Sequence, residues 1–182
     1  MRRYSLTLFL LSLISSYSYT DNFTFNTLNN HGVLGLVNMP TARFYDESAY
    51  GITVYDGEPD QKITFTSFPF DWLEASFFYS NIQDKPYCNL EFDPVCDQDY
   101  KDKGFNFKLR LKEEGVLPAI AIGINDIGGT GLYSSEYIVG SYGINKTDLH
   151  FGLGWGALNG ASKSFKNPLG YIDDGFYDRP DY

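Results

Sequence analysis

From Phe105 to Lys112 the chain reads Phe-Asn-Phe-Lys-Leu-Arg-Leu-Lys, apolar at every odd position and polar at every even one. This is the two-residue period of a strand with one wet and one dry side. The same alternation recurs. Ile120, Ile122 and Ile124 alternate with Ala119, Ala121 and Gly123, and Leu149, Phe151, Leu153 and Trp155 alternate with His150 and three glycines. Leu73, Ala75, Phe77 and Tyr79 alternate with Glu74, Ser76 and Ser80, while Trp72 and Phe78 break the polar side. The pattern predicts seven strands, near Tyr50–Tyr55, Lys62–Phe68, Trp72–Ser80, Gly104–Lys112, Leu117–Asn125, Leu132–Tyr142 and Asp148–Gly156. Helical periodicity is not convincing anywhere. Eighteen glycines and 18% aromatic residues fit the same all-β class.

Short connections are expected at Pro69–Asp71, Glu113–Val116 and Gly143–Thr147. Longer ones are expected at Asp56–Gln61, Asn81–Lys103 and Asp126–Gly131, and from Ala157 onward. The alternation suits an antiparallel up-and-down meander that is part of an outer-membrane β-barrel, with short periplasmic turns and long external loops. Strands with one large apolar face and one small or charged face suit lipid outside and a polar lumen inside. Seven is an odd number, whereas single-chain bacterial barrels have an even number from eight upward. The expectation is therefore a segment of a larger barrel. The organisation expected is a signal peptide over 1–19, an extended N-terminal segment over 20–48, the meander over 49–158, and over 159–182 a polar tail, read as a loop of a longer protein.

The first residues alter the picture by giving a destination. Arg2 and Arg3 precede an apolar run centred on Leu6 to Ile14, and Ser16 and Ser18 follow, which is the layout of a Sec-type secretory signal. The apolar run is shorter than the roughly 20 residues a spanning helix needs. Cleavage near Ser18 removes two of the 14 basic residues, leaving 12 against 23 acidic ones, a net charge of −11. That balance argues against nucleic acid as a partner. Export also makes a disulfide between Cys88 and Cys96 the natural reading of the two cysteines. Two cysteines with His31 and His150 far off in sequence make no zinc site, so neither metal nor cofactor is expected. No cysteine closes the leader, so no lipid anchor is expected.

Candidate chemistry is sparse. Asn106, Lys108, Arg110 and Lys112 form a polar ladder on one strand, and Glu74 and Glu136 are carboxylates on others. By even parity all six are assigned to the lumen, as candidate polymer contacts through which cations attract an anionic polysaccharide. The plainer reading is that Lys108 and its neighbours pair with Glu74 or Glu136 across strands and fill the interior. No catalytic residues are assigned, because nothing brings a specific carboxylate pair to the spacing that glycoside hydrolysis requires. The glycine-rich stretch from Asp126 to Gly131 lacks the Gly-Lys-Ser/Thr ending of a phosphate loop and reads as a turn. The acidic tail residues Asp173, Asp174, Asp178 and Asp181 do not follow EF-hand spacing. Trp72, Trp155 and the tyrosines read as interfacial girdles before sugar-stacking platforms.

Several longer strings carry a resemblance: GLVNMPTAR at 35–43, FPFDWLEASFFY at 68–79, YKDKGFNFKLRLKEEG at 100–115, INDIGGTGLYSSEYIVGS at 124–141 and FGLGWGAL at 151–158. Together they resemble the N-terminal part of the YjbH-type exopolysaccharide biosynthesis proteins of Gram-negative bacteria, over most of residues 33–170. The resemblance implies a role in extracellular polysaccharide production, a large outer-membrane β-barrel and a protein longer than this chain. It also brings lipoprotein members, from which the missing leader cysteine departs. It carries over no catalytic residue.

Three functions follow as expectations. The first is a non-enzymatic outer-membrane barrel component of exopolysaccharide biosynthesis or export, giving the polymer passage or docking along a polar lumen. Its partners would be outer-membrane lipid, the exopolysaccharide and other proteins of that machinery. The second is a secreted soluble β-sandwich that binds carbohydrate, with the apolar face forming a dry core. The third, disfavoured for want of an acid–base pair, is an exported glycosidase.

Overall fold

The computed structural model describes residues 26–88, 98–159 and 166–178. The expected leader, Cys96 and Asp181 lie outside them. Seven strands form one antiparallel meander, in which each pairs only with its sequence neighbours, and the sheet curves into a half-barrel. They are β3 (Tyr50–Asp56), β4 (Asp60–Phe70), β5 (Leu73–Pro86), β6 (Asp99–Lys112), β7 (Ala119–Ile127), β8 (Ser135–Ile144) and β9 (Thr147–Gly156). A separate small hairpin precedes them, β1 (Gly35–Leu36) with β2 (Met39–Pro40).

Every predicted strand is present. β5 and β6 run well beyond their predicted outer ends, because the ladder continues after the apolar alternation stops. Asn81 pairs with Lys101 and Ile82 with Tyr100, and the Asn81 side chain donates to Asp99 at 3.0 Å and accepts from Lys101. Polar cross-strand pairs hold a ladder as apolar ones do, but they carry no periodic signal. Similarly, the long loop expected at Asp56–Gln61 is a tight connection, since Asp56 already pairs with Gln61.

The register puts large apolar side chains on one face throughout. Ile52 pairs with Phe65, Phe65 with Phe77, Phe77 with Phe105, Leu109 with Ile122, Ile122 with Ile138 and Ile138 with Leu153. This face points outward: Val54 is 75% exposed, Phe105 48% and Phe151 56%. The inner face is covered. Lys62, Thr64, Thr66, Glu74, Ser76, Asn106 and Lys108 are all buried there.

The cover is the segment before the sheet. Residues 26–45, expected only as an extended lead-in, lie as a strap along the inner face. Thr66 Oγ1 donates to the Gly32 carbonyl, and Thr64 Oγ1 to that of His31 at 3.4 Å. The Ala42 amide donates to Ser141 Oγ at 2.9 Å. Arg43 is pinned by Asp148 at 2.5 Å and by Glu114 at 2.5 Å. Where the strap meets β7 and β8 the packing is apolar and small-sided, with Ala42, Ala119, Ala121, Tyr137 and Val139 together and Phe44 against them. The strap thus touches the sheet from β4 through to β9.

Six successive antiparallel pairings make β3 and β9 run in the same direction. Closing these two edges on each other would need a parallel ladder. An antiparallel closure needs at least one further strand running opposite to both.

Gly32 is where the strap comes nearest the sheet. Its φ is +73°, and a Cβ there would collide with the Thr64 side chain. Gly32→Ala is expected to destabilise strap docking by about 1–3 kcal/mol. Limited proteolysis checks this: cleavage within 26–45 should accelerate while β4–β9 stay protected.

Candidate functional site

The inner face holds two polar centres. The first lies beneath the strap. Cross-strand pairing of β5 with β6 sets Glu74 opposite Lys108, and their side chains form an ion pair at 2.5 Å with both residues 1% exposed. The Leu34 amide donates to Glu74 Oε1 at 2.7 Å, and Lys108 Nζ donates to the Leu34 carbonyl at 3.2 Å. One strap residue thus has both backbone groups satisfied by an ion pair that would otherwise be buried and underbonded. Lys108 Nζ also sits 4.7 Å from the Phe44 ring centroid. Beside it, Asn106 donates to Ser76 at 3.0 Å and accepts from the Asp126 amide.

The second centre lies toward the opposite end of the strands. Lys62 pairs with Asp60 at 3.1 Å. Tyr133 donates to Asp60 at 2.6 Å and presents its ring 3.5 Å from Lys62 Nζ. Ser80 Oγ lies within 3.3 Å of the same carboxylate. His31 of the strap packs edge-on against Tyr133, and Lys62 Nζ reaches its Nδ1 at 3.5 Å. Desolvation, then the neighbouring Lys62 cation, pushes the His31 pKa down to about 4, against a smaller opposing pull from Asp60. This centre borders a cavity of about 860 Å³ whose walls come from the strap, from β3–β5 and from β8–β9.

The ladder expected to contact polymer divides accordingly. Asn106, Lys108 and Glu74 do face inward, but the strap covers them and the cross-strand pairing of Lys108 with Glu74 is realised. They meet a polymer only if the strap leaves. Arg110 lies on the same side, opposite Ala121 and over the Phe44 ring, and pairs with Glu113 at 2.9 Å. Lys112 is half-buried at the end of β6. Cys88 is disulfide-bonded, and Cys96 lies outside the described residues.

Glu136 corrects the parity assignment. It lies in line with Ile124 and Trp155, on the outer face. Pairs across β6 and β7 join odd to even positions, as with Leu109 and Ile122, whereas β7 and β8 pair even with even. Even numbers therefore face outward in β8. Glu136 is buried there beneath the tail, where Asn167 Nδ2 donates to it at 2.7 Å among Phe107, Leu109 and Ile124. It is not a lumen residue.

Asp60, Lys62, His31 and Tyr133 were missed as site residues. The signal was available for Lys62, a charged residue in phase with Thr64 and Thr66 on an inward face. No sequence signal brings His31 or Tyr133 to it, since both arrive from outside the strands. Among the described residues no group of His, Cys, Asp or Glu could hold a metal ion.

Two outcomes are expected of these centres. Glu74→Gln leaves the Lys108 cation buried without its counter-charge, at a cost of about 3–5 kcal/mol, whereas Lys108→Met with Glu74→Gln recovers much of it. Denaturant unfolding of the single and double variants measures the coupling. Separately, strap docking should weaken on acidification. With the folded pKa of His31 near 4 and the unfolded value at 6.5, the stabilisation is complete above about pH 6.5. It is lost progressively as pH falls from there toward 4. Protease protection of residues 26–45 across that range reads it, and His31→Gln should flatten the profile.

The family model for "Exopolysaccharide biosynthesis protein YbjH" matches residues 27–182. The chain is 40% identical over 142 residues to the "Uncharacterized lipoprotein YjbH" of Escherichia coli strain K12, an alignment covering 78% of this chain and 20% of that protein. The chain therefore spans about a fifth of the length of that curated relative. No solved structure matches. The match runs through the strap, all seven strands of the half-barrel and the tail, and the chain belongs to the YjbH exopolysaccharide biosynthesis family.

Proposed function

We propose that the chain is a segment of an outer-membrane β-barrel that supports exopolysaccharide biosynthesis or export without catalysing a reaction. One observation carries this reading: the sheet buries polar and charged groups such as Thr64, Glu74, Asn106 and Lys108 on its covered inner face, while its outer face leaves large apolar side chains open. A soluble sandwich has the opposite arrangement. Each large side chain such as Ile52, Val54 or Phe151 would gain about 1.5–3 kcal/mol from leaving water, and a soluble fold would bury them against a second layer. Lipid provides the same gain without a second layer. The outward aromatic residues, with Phe70 stacked on Trp72 at the Asp71 turn, suit an interfacial girdle.

The strap refines the expected mechanism. With residues 26–45 hydrogen-bonded along the inner wall, this part of the lumen is filled, which favours docking of polymer over free passage beside Glu74 and Lys108. The partners proposed are outer-membrane lipid, the exopolysaccharide and other proteins of its machinery. Export through the leader, in a Gram-negative cell, places them in reach of one another.

Fractionation of cells expressing the chain tests the proposal. The mature protein should sediment with the outer membrane, require detergent for release and show heat-modifiable migration. Phe105→Arg should reduce the assembled fraction, since a cation at mid-membrane on a lipid face costs about 2–4 kcal/mol. A folded, soluble periplasmic monomer would overturn the barrel reading in favour of a carbohydrate-binding sandwich.

A further inference from the structure

The cavity bordered by Asp60, Lys62 and Tyr133 is separate from the Glu74–Lys108 centre, and the strap leaves it open. We infer that it is a saccharide site that takes a short run of uncharged sugar units. The inference deepens the proposed function and rests on it for the biological source of the sugar.

Three observations support the assignment. The first is size. About 860 Å³ lies toward the upper end of the roughly 300–1,000 Å³ typical of ligand sites, enough for more than one sugar ring. The second is the mixture of surfaces. A sugar ring presents hydroxyls, which both donate and accept, around its edge and an aliphatic face of C–H groups. The cavity is lined by Asp60, Tyr55 and Gln83 together with the apolar Ile82, Val139 and Leu158. The Asp60 carboxylate is held in place before any ligand arrives, by Tyr133 at 2.6 Å and Lys62 at 3.1 Å. Binding therefore need not order it.

The third observation is charge, and it selects the sugar class. Lys62 is already matched by Asp60. Lys85, the other lining cation, lies over the Tyr100 ring at 4.7 Å, and Glu58 also lines the cavity. No excess of positive charge therefore remains to hold a polyanion, and the chain as a whole carries a net charge of −9. A uronate would enter against that field. A neutral segment would not.

The test uses the chain folded in detergent micelles. Calorimetric titration would follow neutral gluco-, galacto- and manno-tetrasaccharides and, as the charged probe, tetragalacturonate. At least one neutral tetrasaccharide should bind saturably and at least about tenfold more tightly than the uronate. Gln83→Ala and Tyr55→Leu should each weaken that binding, while Leu111→Ala on the outer face should not. Heat-modifiable migration identifies the variants that fold, and Gln83→Ala, which keeps the backbone bond from the Gln83 amide to Pro59, serves if Tyr55→Leu does not. Absence of binding by every neutral probe, or tighter binding of the uronate, would overturn the inference. Failure here with the wild-type chain resident in the outer membrane would remove the site and leave the barrel reading standing. A soluble periplasmic chain that binds sugar would do the reverse.

Discussion

The amide and carbonyl of Leu34 meet Glu74 and Lys108 on a face from which water is excluded, and much of the arrangement depends on that meeting. A buried ion pair recovers its desolvation cost only if its remaining hydrogen-bonding capacity is used. A strap crossing the interior of a barrel must in turn find partners for backbone groups that no strand supplies. Each requirement satisfies the other. The same exchange is repeated along the strap, with Thr64 and Thr66 serving His31 and Gly32, and Ser141 serving Ala42. The inner face is polar because it has a backbone to bind.

This constraint explains why the two faces differ in kind. Inward positions are small or hydrogen-bonding along most of the strap's path; they turn apolar at Ala119, Ala121, Tyr137 and Val139, where Ala42 and Phe44 lie against them, and at Phe68, whose ring meets Phe44 and Tyr45. Outward positions carry no such demand and are mostly large and apolar, with Glu136 beneath the tail as an exception. Arg43, tied to Asp148 and Glu114, anchors the strap where β9 starts and beside the turn between β6 and β7. The polar part of the inner wall is largely committed to the chain's own N-terminal segment. The cavity at Asp60 and Tyr133 is the space left over.

The strands were legible because their signal is local. Alternation over 105–112 or 149–155 depends only on which side of the pleat each residue takes. Register across turns was not legible, and that is why Glu136 was placed on the wrong face: a single-residue shift between β6 and β7 exchanges odd for even. The strap was missed for a different reason. Residues 26–45 have almost no periodicity, and their order comes from partners such as Glu74 and Ser141, 40 and 99 positions away. His31 and Tyr133 converge on Lys62 through the same long-range packing, which composition and spacing do not encode. The resemblance in strings such as GLVNMPTAR identified the family, but it could not have shown that this string lies inside the half-barrel.

The central claim is that the outer face meets lipid while the inner face is sealed from it. The most direct measurement is a spin-label scan of positions 105–112 in lipid vesicles, comparing collisions with oxygen, which partitions into the bilayer, and with a water-soluble nickel chelate. The account predicts high oxygen accessibility at 105, 107, 109 and 111, and low accessibility to both reagents at 106 and 108 beneath the strap. High accessibility of the odd positions to the nickel chelate, or no alternation at all, would contradict it.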